Sequence, residues 1–323
     1  MKMKKNILGV DIGGTKCAVI YGQKEGDTLH LVEKVKFPPT SVDETIANIC
    51  SEIEQMMGRH GLDSSNTGAI GISCGGPLDS KRGVVMSPPN LPGWNDIPIV
   101  RMLEERFGIR TGIHNDANAC ALAEWKFGAG VGTQNMVFLT FGTGLGAGLI
   151  LDGKLYAGTN DNAGELGHIR LSEFGPVGYG KCGSFEGFAS GGGIAQLARF
   201  KVSEKQQMGE SVAWCPPGQL DSISAHTVAL AAASGDPLAL EIYRISATYL
   251  GRGLAMVIDL LNPEVIVIGS IYVRNRELME PFVLQEIERE ALSHARRVCS
   301  VRPAKLGEQI GDYAALSVAA NLI

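Results

Sequence analysis

The sequence DIGGTK at residues 11–16 follows a short apolar segment, Ile7 to Val10, whose composition predicts a buried β-strand. A second glycine-rich turn, FGTGLGAG at residues 141–148, follows another predicted strand near the middle of the chain. Glycines in such turns let the backbone come close to an anion and point its N–H groups at it. Two such turns after two strands indicate a nucleotide that is bound between two halves of the protein.

Two known nucleotide-binding motifs also contain glycine turns, and neither fits the context. The Rossmann pattern is G-x-G-x-x-G, and the sixth residue from Gly142 is Ala147, which only the looser form of the pattern allows. The turn also lies between two predicted strands, whereas the Rossmann turn joins a strand to a helix. A P-loop requires G-x-x-x-x-G-K-[ST], whereas Gly14 is followed directly by Thr15 and Lys16 and then by a strand. Taken alone, each turn could also be an ordinary β-hairpin that binds no ligand. For the two turns together, with Asp11 at the first, this interpretation is less favoured.

The composition is that of an ordinary globular protein of about two domains, with 323 residues, 45% of them hydrophobic. A net charge of −5 and the lack of long Lys/Arg runs argue against nucleic acid as a partner. No apolar segment is long enough for a signal-peptide core or a membrane span. The seven cysteines are scattered and odd in number, which is typical of a reduced compartment. We therefore expect a cytoplasmic protein with no nucleic-acid and no membrane partner.

The hydrophobic pattern predicts strands that alternate with helices, so we expect an α/β protein with a central sheet in each half. Strands are predicted within 4–37 and at 69–72, 109–114, 136–156 and 265–268. Helices are predicted at 46–57, 98–107, 117–127 and 237–261, after Glu186, and from about Asp312. The polar segment 201–225 is interpreted as a solvated surface loop, with a lid that determines specificity as the alternative. The similar layout of the two glycine-turn hairpins indicates a weak internal duplication.

Two polar clusters are candidates for chemistry. Asn115 and Asp116 lie at a strand–helix junction, where they could cap the helix or place a general base at the carboxyl end of a strand. The residue types alone do not separate these two interpretations. The segment GELGH at 164–168 brings a carboxylate and an imidazole within four residues. A single histidine is more often a structural residue than a ligand. A functional role for this cluster is therefore favoured only by the motifs that surround it.

Five segments occur in a fixed order along the chain: DIGGTK (11–16), NLPGW (90–94), NDANA (115–119), GTGLGAG (142–148) and GELGH (164–168). In this order they resemble the ROK family (repressors, open reading frames and sugar kinases), and its glucokinase-type members in particular. The resemblance covers nearly the whole chain. It implies an α/β, actin-like (ribonuclease-H-like) ATPase fold with two lobes around a cleft. Residues 1–116 plus 306–323 would form the N-terminal lobe, and residues 117–305 the C-terminal lobe.

The resemblance also implies ATP-dependent phosphorylation of a glucose-like hexose or N-acetylhexosamine, usually at its 6-hydroxyl, with Asp116 as the general base. The substrate-binding residues that it implies are Asn90, Asn115, Asp116, Glu165, His168 and Glu186. The ATP-binding residues that it implies are Asp11, Gly13, Gly14, Thr15, Lys16, Gly142, Thr143, Gly144 and Gly269. Asp11 would help to hold Mg²⁺ through water. A small-molecule sugar is the expected partner, and relatives suggest a homo-oligomer, either a dimer or a tetramer.

The chain departs from the zinc-containing members of the family after residue 168. Those members continue with C-x-C-G-x-x-G-C-x-E, and alignment back from Glu186 puts Val177, Tyr179 and Ser184 at the cysteine positions. Cys182 falls between ligand positions. Because a closed tetrahedral zinc site needs four ligands, we predict no structural zinc. We expect Tyr179 or Ser184 to orient His168 by hydrogen bonding instead. A second departure is Gly269-Ser270-Ile271, where relatives have more glycine.

Two other functions are compatible with the family. A repressor carries a helix-turn-helix domain ahead of the first glycine turn, but this turn begins at Asp11, so we expect no such domain. A non-catalytic sugar-binding sensor or regulator is the remaining alternative. Asp11, Asp116 and both glycine turns are present, which favours the kinase.

Overall fold

The computed structural model describes residues 4–323. The strands are β1 (Lys4–Ile12), β2 (Cys17–Glu25), β3 (Thr28–Phe37), β4 (Thr67–Cys74), β5 (Leu78–Asp79), β6 (Val84–Val85), β7 (Thr111–Asn115), β8 (Met136–Phe141), β9 (Leu145–Leu151), β10 (Lys154–Tyr156), β11 (Val177–Gly178), β12 (Lys181–Cys182), β13 (Val265–Ile268) and β14 (Ser300–Pro303). The helices are α1 (Val42–His60), α2 (Ile99–Phe107), α3 (Asp116–Phe127), α4 (Phe185–Phe188), α5 (Gly191–Gln207), α6 (Ala225–Ala233), α7 (Pro237–Leu261), α8 (Ile271–Arg274), α9 (Arg276–Glu290), α10 (Ser293–Arg296) and α11 (Ile310–Asn321). This alternation confirms the predicted α/β class.

The described residues form two compact units. The first reaches Gln134 and also includes Gly148–Ala163 and Lys305–Ile323. The second consists of Asn135–Ala147 and Gly164–Ala304. The predicted lobes instead divide the chain at 116/117 and 305/306, so the compact units assign residues 117–134 and 148–163 differently. The lobe boundaries remain a prediction about the family architecture.

The sheet of the first unit has the strand order β3-β2-β1-β4-β7. Neighbours pair antiparallel from β3 to β1 and parallel from β1 to β7. The second sheet has the order β10-β9-β8-β13-β14, with β8, β13 and β14 parallel. The two sheets therefore repeat one layout, in which an antiparallel hairpin is followed by parallel strands. This repetition agrees with the predicted internal duplication.

Glycines on the strands of the first sheet let α11 lie very close to it. A Cβ atom added at Gly71 of β4 would lie 2.2 Å from the Ala315 carbonyl oxygen and 2.2 Å from the Ala319 nitrogen. At Gly9 of β1 it would lie 3.0 Å from the Ala315 Cβ. Because real Cβ atoms do not approach other atoms so closely, α11 can pack here only against glycine. Around these contacts, Ile7, Ile20 and Ala69 are buried with the alanines of α11.

The other face of the same sheet carries a larger apolar core. Ile49 and Ile53 of α1 and Leu103 of α2 are fully buried against it. Helix α1 begins at the N-cap Ser41, whose hydroxyl accepts a hydrogen bond from the Glu44 N–H, and ends at the left-handed Gly61. The covered sheet places the carboxyl ends of β1, β4 and β7 side by side.

In the second unit, strand β13 is buried along its whole length, as its uniformly apolar sequence predicts. Helix α7 packs against α4, where the rings of Phe188 and Tyr249 stack 3.5 Å apart. None of the helices within residues 4–323 is both long enough and apolar enough to span a lipid bilayer.

The interpretation of 201–225 as a solvated loop is wrong. Its first seven residues belong to α5, and Val202, Val212, Cys215 and Ile223 are buried. The Arg199 guanidinium donates hydrogen bonds to the carbonyls of residues 220 and 223, which fixes the end of the segment. Its apolar residues are a short run at 212–215, next to two prolines, and otherwise isolated positions, and this pattern has neither a helical nor a strand period that would predict their burial.

Candidate active site

The first glycine turn joins β1 to β2. The Gly13 N–H donates to the Lys16 carbonyl over 3.1 Å and closes the turn. A Cβ at Gly14 would lie 2.2 Å from the Asn90 carbonyl oxygen, so only glycine fits here. The N–H groups of Gly14 and Thr15 have no hydrogen-bond partner within residues 4–323, and both residues are exposed. The turn therefore offers two free donors to an anion.

Asp11 ends the apolar part of β1, opposite Ala18 of β2 and Ser73 of β4. Burial raises the pKa of its carboxyl from 3.8 to about 6, although Lys16 and Lys34 pull the value down. No group of three His, Cys, Asp or Glu side chains in the described part of the chain is placed to hold a metal by itself. Mg²⁺ commonly binds through one or two carboxylates, water and phosphate, so Asp11 suits an ion that arrives with phosphates.

The junction of β7 and α3 contains the helix cap, which is one of the two roles that the sequence left open, and the role of Asp116 as a general base remains a prediction. The Asn115 Oδ1 accepts a hydrogen bond from the Asn118 N–H over 2.8 Å and caps α3. Asp116 is the first residue of that helix, and its Oδ1 accepts from the Ala117 N–H over 2.8 Å. Asp116 keeps solvent-exposed surface, but nearby protein atoms displace enough water to raise the pKa of its carboxyl. Asp116 is thus a stronger base than an ordinary aspartate.

The second glycine turn joins β8 to β9 and is fixed to the start of α5. The carbonyls of Gly142 and Thr143 accept from the N–H groups of Gly191 and Gly192 over 2.8 and 3.2 Å. The Gly142 N–H donates within the turn, to the Gly144 carbonyl. The N–H groups of Thr143 and Gly144 have no acceptor among the described residues. Like the first turn, this one presents two free donors.

Glu186 lies against the second turn. Its Oε2 accepts a hydrogen bond from the Leu145 N–H over 2.9 Å, and a Cβ added at Gly144 would lie 2.7 Å from the same oxygen. The Oε1 atom receives no hydrogen bond from the residues that the structure describes. One oxygen of this carboxylate is therefore structural and the other is available to a ligand.

Glu165 precedes a single 3-10 turn, Leu166–His168, and His168 is the last residue of that turn; both residues are exposed. A Cβ at Gly167 would lie 2.3 Å from the Leu145 carbonyl oxygen, so the segment packs tightly on the second glycine turn. The His168 ring meets the ring of Tyr179 edge-on, with centroids 6.3 Å apart. Tyr179 thus contacts His168 through its ring, and no hydrogen bond joins the two side chains within residues 4–323, so the expectation that Tyr179 orients His168 by hydrogen bonding is wrong.

The expectation that Ser184 orients His168 is wrong. The Ser184 hydroxyl accepts from the Gly187 N–H as the N-cap of α4 and points to the Gly178 carbonyl. The Cys182 thiol lies 3.1 Å from the Gly175 carbonyl oxygen. The lack of a structural zinc in this protein remains a prediction.

A cavity of about 850 Å³ lies beside the second turn, wholly within the second unit. One side is formed by glycines and a threonine, namely Gly142, Thr143, Gly191 and Gly192. Apolar residues form another side, namely Ile223, Ala225, Ala229, Leu230 and Ile271. The polar residues include Ser224, His226, Tyr243, Ser270, Arg274 and Asn275, and none of the lining residues is acidic. The cavity has the size of a small-molecule site.

Ser270, rather than the predicted Gly269, lines this cavity. Gly269 is buried, and its N–H donates to the Leu139 carbonyl. Ser270 has a φ of +52°, a conformation that is strained for serine, and its hydroxyl accepts from the Arg274 guanidinium over 2.9 Å. Arg274, Asn275 and α6 were not predicted from the sequence. The only sequence signal was the serine in a segment where relatives have glycine.

The predicted site residues form two groups. The first unit contains Asp11, Asn90, Asn115 and Asp116 with the first glycine turn. The second unit contains Glu165, His168, Glu186 and Gly269 with the second turn and the cavity. Each unit thus combines one turn that has free N–H groups with side chains that suit sugar hydroxyls.

A sequence model of the ROK family matches residues 7–321. The chain belongs to the ROK family. The glucokinase of Streptomyces coelicolor is 32% identical over 314 residues, which are 97% of this chain and 96% of that protein. The structure of a ROK family glucokinase from Streptomyces griseus, in complex with glucose and AMPPNP, has a TM-score of 0.73 and 31% identity, with 98% of each chain covered. A ROK family transcriptional regulator, a homologue of the Escherichia coli Mlc protein, has a TM-score of 0.83 and 27% identity, and the match covers 99% of this chain and 79% of that one.

These similarities confirm the predicted fold class, because the ROK kinases among the structural neighbours have the actin-like ATPase fold. The glucokinase relatives support sugar kinase activity in general, while the regulator shows that ROK proteins also act in transcription.

Proposed function

We propose that this ROK protein is an ATP-dependent kinase that phosphorylates the 6-hydroxyl of a glucose-like hexose or N-acetylhexosamine. The observation that carries the proposal is the pair of free N–H groups at Thr143 and Gly144, beside a cavity with no acidic lining. Such a site suits a ligand with a negatively charged end and a flat apolar end. The glucose and AMPPNP bound by the Streptomyces griseus relative support the same interpretation.

For the nucleotide, we assign the phosphates to the free N–H groups of both turns and the adenosine to the cavity. In the first turn these donors belong to Gly14 and Thr15, with Gly13 and Lys16 completing the turn. Asp11 would help to hold Mg²⁺ through water together with the phosphates, and the bound ion would supply positive charge to the transferred phosphoryl group. Backbone N–H groups that position the phosphates would supply the larger part of catalysis in phosphoryl transfer.

For the sugar, we assign Asp116 to the reacting hydroxyl. Its Oδ1 accepts the Ala117 N–H, so Oδ2 is the atom that takes the proton. As the sugar oxygen forms its bond to the terminal phosphorus, the bond to the leaving ADP breaks and the hydroxyl proton moves to Asp116. The remaining hydroxyls are assigned to Asn90, Asn115, Glu165, His168 and Glu186, where Asn115 has its Nδ2 and Glu186 its Oε1 available.

The test is a coupled ADP-release assay with ATP and Mg²⁺ over a panel of hexoses and N-acetylhexosamines, with wild type and Asp116→Asn. We expect turnover of at least one sugar by the wild type. The variant should lose about 10²–10⁴-fold in kcat with a sugar KM within a few-fold, because the proton acceptor is lost while the hydrogen-bonding shape is kept. Asp96→Asn, an exposed loop change, is the matched control. Wild-type turnover by Asp116→Asn would rule out its role as the base.

The second candidate is a sugar-binding sensor or regulator without catalysis, which the similarity to the transcriptional regulator favours. Calorimetric binding of a sugar without phosphoryl transfer to any member of the panel would support this function. We further propose a dimer or tetramer from the family resemblance, and light scattering on the purified protein measures its mass.

A further inference from the structure

Asn275 lines the cavity with an amide whose orientation is fixed. Its Nδ2 donates a hydrogen bond to the Ile271 carbonyl over 2.9 Å. A carbonyl can only accept, so the nitrogen must face Ile271 and the Oδ1 atom must face away from it. No donor among the described residues reaches this Oδ1, and the side chain is half-buried. The cavity thus contains an acceptor without a partner.

Four other polar side chains of the cavity, those of Ser224, Tyr243, Ser270 and Arg274, already form hydrogen bonds within the protein. The Tyr243 hydroxyl donates to the Ala225 carbonyl over 3.1 Å, and Ser224 and Thr227 form a capping box at the start of α6. The Arg274 guanidinium donates to the Ser270 hydroxyl. Besides Asn275, the exposed imidazole of His226 and the hydroxyl of Thr143 are the polar side-chain groups of the cavity lining that lack a hydrogen-bond partner within residues 4–323.

We infer that Asn275 selects adenine over 6-oxopurines as the base of the phosphoryl donor. The inference rests on the proposed function, because it takes the cavity as the nucleoside site. The exocyclic amino group of adenine can donate to Oδ1, whereas hypoxanthine and guanine place a carbonyl oxygen at the same position. Two facing acceptors repel each other and leave both without a hydrogen bond, and a site with a fixed acceptor rejects such a base. The apolar residues of the cavity contact any purine ring equally, so they do not discriminate.

The test compares ADP with IDP, which differ at position 6 of the base, by calorimetry without sugar and then ATP with ITP in the kinase assay. We expect the wild type to prefer the adenine nucleotide by about 10-fold or more. Asn275→Ala should reduce this preference to about 2-fold, chiefly by weakening ADP binding. Asn275→Asp keeps an acceptor oxygen and should retain a larger preference than the alanine variant. His226→Ala, in the same cavity, should change the two affinities together.

The outcomes separate the inference from the proposed function. An unchanged ADP/IDP ratio in Asn275→Ala, or equal binding of both by the wild type, overturns the inference alone. Failure of the wild type to bind either nucleotide overturns the proposed function as well.

Discussion

The Glu186 carboxylate accepts a hydrogen bond from the Leu145 N–H at 2.9 Å, across 41 residues of sequence. A side chain assigned to the sugar therefore also holds the turn assigned to the phosphates. Both residues belong to the second unit. A change at Glu186 should consequently affect two substrates through two different oxygens.

Two substitutions at Glu186 should separate these effects. Glutamine keeps an oxygen that can accept from Leu145, so Glu186→Gln should raise the sugar KM about 10-fold or more and leave the ATP KM within about 3-fold. Alanine removes both oxygens, so Glu186→Ala should raise both values. Steady-state kinetics with each substrate varied in turn measures the split. Equal effects of the two variants on ATP would contradict the structural role of Oε2.

Gly144→Ala should act through Glu186. The new Cβ would lie 2.7 Å from Oε2 and would push the carboxylate away from Leu145. In the wild-type background we expect a loss of about 10-fold in kcat/KM for ATP, and in the Glu186→Ala background a much smaller one. A double-mutant cycle measures this coupling, and additive effects would show that the two residues act independently.

Asp11→Asn should stabilise the nucleotide-free protein at neutral pH. The native carboxyl holds its proton up to about pH 6 and the unfolded one only to 3.8, so the wild type loses stability as pH rises through this range. The asparagine variant does not titrate, and the gain should reach up to ~3 kcal/mol above pH 7. Urea unfolding at pH 4.5 and 7.5 tests this prediction, with Asp96→Asn as the exposed control. The same difference between Asp11→Asn and wild type at both pH values would contradict it.

Glu124→Gln should destabilise the protein without altering its chemistry. This fully buried carboxylate accepts from the N–H groups of Ala129, Lys305 and Leu306 at 2.7, 2.9 and 2.9 Å. A glutamine would point its own N–H₂ at such donors, at a cost of about 2–4 kcal/mol in the free energy of unfolding. Glu105→Gln, at an exposed pair with Arg101, should change it by less than about 0.5 kcal/mol. If both variants unfold at the same urea concentration, the buried network is not stabilising.

The sequence predicted those features whose signals are local. The DIGGTK turn and the apolar strand β13 each depend on neighbouring residues, and the structure has both. The cap at Asn115 was one of two open alternatives, and it coexists with an exposed Asp116.

The cavity could not be predicted in the same way. Its residues come from the glycine turn, α5, residues 223–230 and residues 270–275, and most are small or apolar. Such residues have no chemical signature, and only the folded chain brings them together. The fixed amide of Asn275 depends on a backbone carbonyl four residues earlier, within a helix too short to be recognised from periodicity.

The close packing of α11 on Gly9 and Gly71 has a consequence for how this protein is made. The helix begins at Ile310, about 150 residues after the preceding part of the first unit ends at Ala163. At about 5–20 residues per second, a ribosome needs roughly 7–30 s to synthesise that stretch. Throughout this interval the surface that α11 covers is exposed on the nascent chain, with Ile7, Ile20 and Ala69 at its centre. The first sheet to be synthesised is therefore among the last parts of the molecule to be completed, and in the cell it is the surface on which a chaperone would act.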